Sequence, residues 1–470
     1  MEVLATKFDA AVVGRNNRAV TLHGMVHALR DLGGVTFLTL RTRFLPWRNL
    51  GWALKSVLGR DSRAKAGGAG DVSPFSALMT TLAATIGTGN IVGVATALVA
   101  GGPGALVWME ISALFGLSSK CAECLLAVKY RQRDAGGEMR GGPMYTMCAA
   151  LRWKRLGGAL AFLFALFTVL ASLGMGDMAQ ANSIAGALAD SFSVPARTTG
   201  AAVALLALVV ILGGIRRIAG VCSVVVPLMA VLYLLAGTAV LLGHLSALPG
   251  AVAEMFRLAF SPAAAAGGAA GTMTASALNA ARWGIARGCF SHEAGMGSAP
   301  NVAATAHVSH PVKQGLIQTL GVFTDTLVIC TCTAFIILFG GVPDASLSGI
   351  RLTQAALVSE IGPVGSVFVA VAIFLFAFSS IIGNYYYGEA NIRFITRRPG
   401  ALTLYRLLVG AMVLFGALAT LDLAWSLADI TMALMTLFNL AAILLLGRQA
   451  FLLLADYVAQ KRQGIKNPVY

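Results

Sequence analysis

Residues 86–93 read Ile86-Gly87-Thr88-Gly89-Asn90-Ile91-Val92-Gly93, in the middle of an apolar run extending from about Phe75 to Ala100. Glycine weakens a helix interior by about 0.8–1.0 kcal/mol relative to alanine, and two glycines flanking a threonine favour local unwinding. Unwound backbone at membrane depth is tolerated only where it is buried in protein or lines a cavity. There, freed N–H groups bind a carboxylate and freed carbonyls coordinate a cation. Gly89-x-x-x-Gly93 is also a small-residue packing pattern, which accounts for the glycines but not for Thr88 and Asn90 between them. A phosphate-loop or dinucleotide reading fails, because no strand precedes the motif and no helix start follows it.

The rest of the chain places this motif in a membrane. Of 470 residues, 57% are hydrophobic and only 12% charged, with a mean hydropathy of +0.78. Soluble domains carry about 25% charged residues, so this chain has too few charges to wet a soluble surface. The net charge of +15 falls in basic clusters between apolar runs, with no aromatic or Arg-rich groove to stack bases. That pattern excludes nucleic acid as a partner and fits a lipid bilayer. Seven cysteines lie mostly in apolar stretches and form no secreted disulfide framework. Cys121-x-x-Cys124 has metal spacing but no second ligand pair, so packing is expected. Residues 1–34 intersperse charges through a short apolar pattern, and are expected neither to be a signal peptide nor to span.

Ten segments approach the roughly 20 apolar residues that a span requires. They lie near Phe75–Ala100, Ala105–Val128, Leu156–Ala187, Gly200–Gly214, Gly220–Leu242, Ala263–Ile285, Leu316–Gly341, Pro363–Glu389, Leu402–Leu421 and Leu427–Leu454. If the N-terminus is cytoplasmic, the cytoplasmic connections hold the basic stretches 41–65 and 129–155, Arg216, Arg217, Arg282, Arg287 and Lys313. They also hold Arg393, Arg397, Arg398, Arg406, Arg448, Lys461, Arg462 and Lys466, against Arg197, Arg257 and Arg351 outside. This asymmetry sets both termini in the cytoplasm. Ten helices divided five and five put the second half upside down relative to the first, the inverted repeat of secondary transporters. The expected organisation is a non-spanning segment 1–34, a basic amphipathic segment 35–74, repeats 75–243 and 244–455, and a cytoplasmic tail 456–470. Gly-interrupted helices at matching positions are the pointer to a binding site. The second half offers Ala266-Gly267-Gly268-Ala269-Ala270-Gly271-Thr272, which read alone is equally a flexible small-residue stretch.

Phe376–Glu389 is the other dense polar cluster in an apolar run. Ser379 and Ser380 supply hydroxyl oxygens suited to Na⁺, and Ser380 and Asn384 share a face at i, i+4. Alternatively, the serines bond back to their own helix. Asp177, Gln180 and Asn182 interrupt the third run, and Asp325 the seventh. Ion pathway and interhelical hydrogen bonding are both open for these. Glu110, in the second run, has no evident role. Arg287–Pro300 reads as a polar, Gly-rich cytoplasmic turn in which Glu293 pairs with Arg287 and His292 is a loop polar group. No three-ligand metal set, nucleophile–base pair or oxyanion arrangement is visible, so no catalytic residue is assigned.

GTGNIVGVATALVAGGPGA (87–105), GGPMY (141–145), SHEAGMGSAP (291–300) with HPVKQGLIQTLGVFTDTLVICT (310–331), FAFSSIIGNYYYGE (376–389) and LADITMALMTLFNLAAILLLG (427–447) resemble the alanine or glycine:cation symporter family. The resemblance covers roughly residues 35–455. It implies an all-α polytopic membrane protein with the leucine-transporter type of five-plus-five inverted repeat and two discontinuous helices. It also implies import of alanine, glycine or a similar small amino acid with Na⁺, sometimes H⁺, across a bacterial-type plasma membrane. Carried over by position, it implies substrate binding by Gly87, Thr88, Gly89, Asn90, Gln180, Ala269, Thr272, Ser380 and Asn384. Cation binding falls to Gly87, Asn90, Ser379 and Ser380. Some members are similar but carry Trp in place of Asn384 and a bulkier residue near Ala269. The family also usually has an additional hydrophobic helix before TLRTRFLPWRNL (39–50). A channel or receptor on the same helices is the alternative; a channel needs a continuous pore and a membrane enzyme a catalytic constellation, and two broken helices at the midplane favour an occluded transport site over both.

Overall fold

The computed structural model describes residues 36–59, 70–134, 136–260, 270–341, 347, 349–465 and 467–470. Three short helices, α1 (Thr36–Arg41), α2 (Leu45–Arg48) and α3 (Leu50–Leu58), precede the apolar helices. α4 (Pro74–Thr85) starts with Pro74 in its first turn and Ser73 as N-cap, whose hydroxyl accepts from the Ser76 N–H at 3.1 Å. It is separated by residues 86–88 from α5 (Gly89–Gly101), and the two are bent by 49°. Gly102, at φ +71°, and Pro103 turn the chain into α6 (Gly104–Lys129). A two-stranded antiparallel hairpin follows, β1 (Gln132–Arg133) with β2 (Met139–Arg140), and then α7 (Pro143–Ala150).

The first half continues with α8 (Lys154–Phe192), α9 (Ala196–Ile211) and α10 (Gly214–Gly243). α11 (Leu248–Phe260) leads to the undescribed residues 261–269. The second half holds α12 (Ala270–His292), α13 (Pro300–Ala303), α14 (Pro311–Phe339), α15 (Ile350–Ile361), α16 (Val364–Ile395), α17 (Pro399–Leu418) and α18 (Leu421–Arg462). Inside α8 and α14 the chain is π-helical, over Ser172–Met178 and Phe323–Cys330.

Seven of these helices are long and apolar enough to cross a membrane, and the bent pair α4–α5 makes an eighth. α9 is apolar but shorter. α12 has the length of a span but a more polar composition. The ten runs expected from the sequence thus all coincide with helices, with α9 displaced toward the N-terminus and α12 toward the C-terminus. The most apolar stretch of α6 is 83% buried, whereas that of α17 is 28% buried. α6 is therefore an inner helix and α17 an outer one. The outer faces are rows of exposed aliphatic residues, such as Val224, Leu228, Val231, Leu235 and Leu242 on α10, at the spacing of one helix face. An exposed aliphatic row is stable against lipid. The protein is a multi-pass, all-helical membrane protein.

Among the described residues the second half has an interruption after His292; residues 266–269, where one was expected, lie outside the described residues. Glu293 (φ +51°), Gly295 (φ +81°) and Gly297 (φ +88°) end α12 and turn the chain into α13. A Cβ on Gly297 would lie 2.8 Å from atoms of Asn439, Phe164 and Pro143, so only glycine fits that turn. The expected exposed turn Arg287–Pro300 is instead buried in the protein, with Arg287, His292 and Glu293 each at most 2% exposed. Arg287 belongs to α12 rather than to a connection, and it pairs with Asp429 of α18 rather than with Glu293. The two interrupted helices also meet at one end, where the His307 N–H donates to the Val72 carbonyl at 2.9 Å and the Asp71 N–H to the Thr305 carbonyl at 2.8 Å.

Candidate functional site

The gap between α4 and α5 is a helix C-terminus facing a helix N-terminus. The last carbonyls of α4 have no partner within the helix, and the first N–H groups of α5 are equally free. One end therefore presents partial negative charge and the other partial positive charge.

Side chains from two other helices, α16 and α8, fill in around this gap. The Ser380 hydroxyl lies 3.0 Å from the Ala83 carbonyl, 3.1 Å from Ala84 and 3.4 Å from Ile86. Ser379 Oγ is 3.3 Å from the Ala83 carbonyl and 2.9 Å from that of Phe376. Each hydroxyl has one hydrogen, so several of these oxygen lone pairs stay uncommitted. On the N–H side, the Thr88 N–H donates to Gln180 Oε1 at 3.0 Å and the Gly87 N–H to Asn90 Oδ1 at 2.9 Å. Thr88 is fully buried and its hydroxyl has no hydrogen-bond partner. Asn384 donates to the Ser380 carbonyl at 3.0 Å and packs on Gly176, where a Cβ would come within 2.5 Å of its own.

Eight small or polar residues singled out in the sequence thus converge here: Gly87, Thr88, Gly89, Asn90, Gln180, Ser379, Ser380 and Asn384. The other two are Ala269 and Thr272. Ala269 lies outside the described residues. Thr272 is in the first turns of α12, some 19 residues before Ser291, or about 28 Å at 1.5 Å per residue. Ser291 is where α12 reaches the gap: a Cβ on Gly89 would sit 3.3 Å from the Ser291 Cα and 3.0 Å from the Phe290 ring. The side chain of Thr272 lies outside the described residues.

Several residues here had no partner in the sequence reading. Asp325, fully buried, accepts from Asn90 Nδ2 at 2.7 Å, from Ser291 Oγ at 2.7 Å and from Thr326 Oγ1 at 2.8 Å. It ties α5, α12 and α14 together. Glu110 accepts from Thr331 Oγ1 at 2.6 Å. Lys120 Nζ donates to the His292 carbonyl at 3.1 Å, capping the C-terminal end of α12 with a positive charge. His292, expected in a loop, is buried with Nε2 3.1 Å from Ser112 Oγ and Nδ1 accepting from the Ala294 N–H. Glu123 and Asn439 hold the turn through the Gly297 N–H and Gly295 carbonyl.

Beside Phe290, Arg287 makes a bidentate pair with Asp429 (3.0 and 2.8 Å), and its guanidinium lies over Trp425 at 4.7 Å. Phe290 stacks on Trp425 at 4.7 Å. Cys121 and Cys124 are buried as packing residues.

The profile of the sodium:alanine symporter family matches residues 7–470. The chain belongs to that family. Similar proteins include the probable sodium/glutamine symporter GlnT of Bacillus subtilis, 44% identical over 92% of this chain and 88% of that one. The amino-acid carrier protein AlsT of the same organism is 42% identical over 92% and 89%, respectively. The sodium/alanine symporter AgcS of Methanococcus maripaludis is 42% identical over 88% and 90%. Membership of the sodium:alanine symporter family makes this protein a cation-coupled amino-acid transporter, with Na⁺ as coupling ion, and not an enzyme.

Proposed function

We propose that the protein imports a small neutral amino acid, alanine or a slightly larger polar relative, together with Na⁺ by alternating access. It does so on a leucine-transporter-type five-plus-five inverted repeat with both termini in the cytoplasm. The observation that carries this reading is the pairing, at one broken helix, of a carbonyl-and-hydroxyl cluster with N–H groups held only by side-chain amides.

The carbonyls of Ala83 and Ile86 with Ser379 and Ser380 form an oxygen set suited to Na⁺, at the negative end of α4. The N–H groups of Gly87 and Thr88 suit a carboxylate, which would take the places of Asn90 Oδ1 and Gln180 Oε1, and the Thr88 hydroxyl is free to donate to it. Cation and carboxylate are then bound within one short segment of backbone. Ordering that segment for one ligand leaves less to order for the other, which is positive coupling between them. Asn384 and Gly176 form the wall that the substrate side chain meets. Relatives named for alanine and for glutamine fit a pocket whose size is set by such wall residues.

Alanine binding to the purified protein in detergent tests this, measured in Na⁺ and in K⁺. The reading expects saturable binding in Na⁺ that serine competes away, and much weaker binding in K⁺. Equal binding in both salts would refute the coupling.

A further inference from the structure

Away from the gap, α2 and the end of α18 leave a cavity of about 250 Å³ between them, lined by Leu45, Asn49, Tyr457, Val458, Lys461 and Arg462. Asn49 closes α2 by donating from Nδ2 to the Leu45 carbonyl at 2.8 Å. Tyr457 is buried and held edge-on against Trp52 of α3, 6.4 Å away, and against His310, 5.1 Å away. One side of the cavity is therefore fixed by aromatic packing. Lys461 and Arg462, in the last turn of α18, are exposed at its rim.

The two segments that bound this cavity are one-sided in charge. Residues 36–59 carry Arg41, Arg43, Arg48 and Lys55 and no carboxylate. Residues 451–470 carry Lys461, Arg462 and Lys466 against Asp456 alone. Asp456 is itself engaged, 3.1 Å from His310 Nε2 and accepting from Gln460 Nε2 at 3.0 Å. Lys313, at the start of α14, is close enough to repel Lys461. A cleft lined by one sign of charge concentrates ligands of the other sign, so the cavity suits an anion.

The outer face of α18 says which kind of anion. Leu445, Leu452, Ala455, Ala459 and Arg462 are all exposed and recur at intervals of seven, three, four and three. They form one apolar stripe that ends on a cation. Beside it, Phe37 and Leu40 of α1 are 51% and 59% exposed, and Phe37 meets Phe451 of α18 at 6.0 Å. Exposed aliphatic faces meet lipid in this fold, so acyl chains lie along the stripe and bring a headgroup to the cavity. A soluble anion would use the cations and leave the stripe without a purpose.

We propose that the cavity between α2 and α18 binds the phosphodiester headgroup of an anionic glycerophospholipid, with Lys461 and Arg462 on the phosphate oxygens and the acyl chains along α18. Basic pockets between membrane helices hold such headgroups. A zwitterionic lipid brings its own cation into an already positive cleft and is selected against. The bound lipid bridges α2 to the end of α18.

The inference rests on the membrane-spanning fold and not on the transport reading, so the two stand or fall separately. Native mass spectrometry of the purified full chain in detergent tests it, by titration with phosphatidylglycerol, phosphatidylcholine or inorganic phosphate. The first phosphatidylglycerol should bind more tightly than the first phosphatidylcholine. Each cation near an anionic lipid contributes about fivefold, so Lys461→Gln with Arg462→Gln should weaken that first binding by roughly thirtyfold. Arg216→Gln with Arg217→Gln removes as many exposed charges at the start of α10 and should leave it unchanged. Val458→Trp fills the cavity, keeps both cations and should also weaken it, which decides the matter if the charge variant does not fold. Equal affinity for the two lipids, or equal loss in the two charge variants, overturns the site. So does native affinity in Lys461→Gln with Arg462→Gln or in Val458→Trp. Inorganic phosphate that displaces the first phosphatidylglycerol at matching concentration assigns the cavity to a soluble anion and overturns the lipid assignment.

Discussion

Removing the Ser379 and Ser380 hydroxyls tests the cation site most sharply. Ser380 Oγ lies 3.0–3.4 Å from three carbonyls, and Ser379 Oγ lies 3.3 Å from one of them. A bound Na⁺ there loses one oxygen ligand with each serine. Polar contacts to charged groups are worth about 1.5–3 kcal/mol, and 1.4 kcal/mol is tenfold in affinity. Ser380→Ala should therefore raise the Na⁺ concentration for half-maximal uptake by roughly tenfold to a hundredfold. Adding Ser379→Ala should raise it further. The folding cost is smaller, about 1 kcal/mol per neutral hydrogen bond, and Ser379 spends its best one on its own helix, to the Phe376 carbonyl at 2.9 Å. The assay is initial alanine uptake against Na⁺ in reconstituted vesicles, with maximal rate at saturating Na⁺ expected to persist. Thr436→Ala is the control, since it removes an equally buried hydroxyl bonded at 2.7 Å to the Met432 carbonyl of α18, away from the gap. If the double serine variant keeps the native Na⁺ dependence, these hydroxyls do not bind the ion.

Three further outcomes follow from the same geometry. In Gly87→Ala the new Cβ would stand 2.3 Å from Ser380 Oγ and 2.9 Å from Gln180 Oε1. An overpacking cost of about 1–3 kcal/mol should weaken Na⁺ and alanine together by roughly fivefold to a hundredfold, read as both half-saturation concentrations in uptake. Asn384→Trp should narrow selection toward glycine and alanine, by about 1–3 kcal/mol per methylene lost from the pocket. In competition assays serine should then compete less well than in the native protein. Arg287→Met leaves Asp429 buried without its partner and should cost about 3–5 kcal/mol, seen as a lower unfolding temperature in detergent, whereas Arg287→Met with Asp429→Leu should recover much of it.

The helices were legible because their apolar runs are long, and the first break because Gly87-Thr88-Gly89 weakens a helix locally. The break after His292 was missed for a physical reason. Residues 266–272 are rich in glycine, while 287–300 are rich in polar groups, and polarity read as exposure to water. Those polar groups are buried because residues distant in sequence satisfy them: Lys120 at His292, Glu123 at Gly297, Asn439 at Gly295, Asp429 at Arg287. No periodicity encodes such pairings. Asp325 was visible as an anomaly in an apolar run, but its tie to Asn90 spans 235 residues. Ser380 and Asn384 were legible from their i, i+4 spacing, whereas Gly176, against which Asn384 rests, gave no signal distinguishable from helix packing. The π-helical stretches in α8 and α14 were not foreseen.

Accumulation against a gradient tests the central claim most directly. Purified protein in sealed vesicles is given radiolabelled alanine outside, with Na⁺ outside and K⁺ inside, and internal alanine is followed with and without a Na⁺ ionophore. Na⁺-coupled transport predicts that internal alanine rises transiently above the external concentration and that the ionophore abolishes the excess. Alanine that merely equilibrates, at the same rate with or without the Na⁺ gradient, would contradict it.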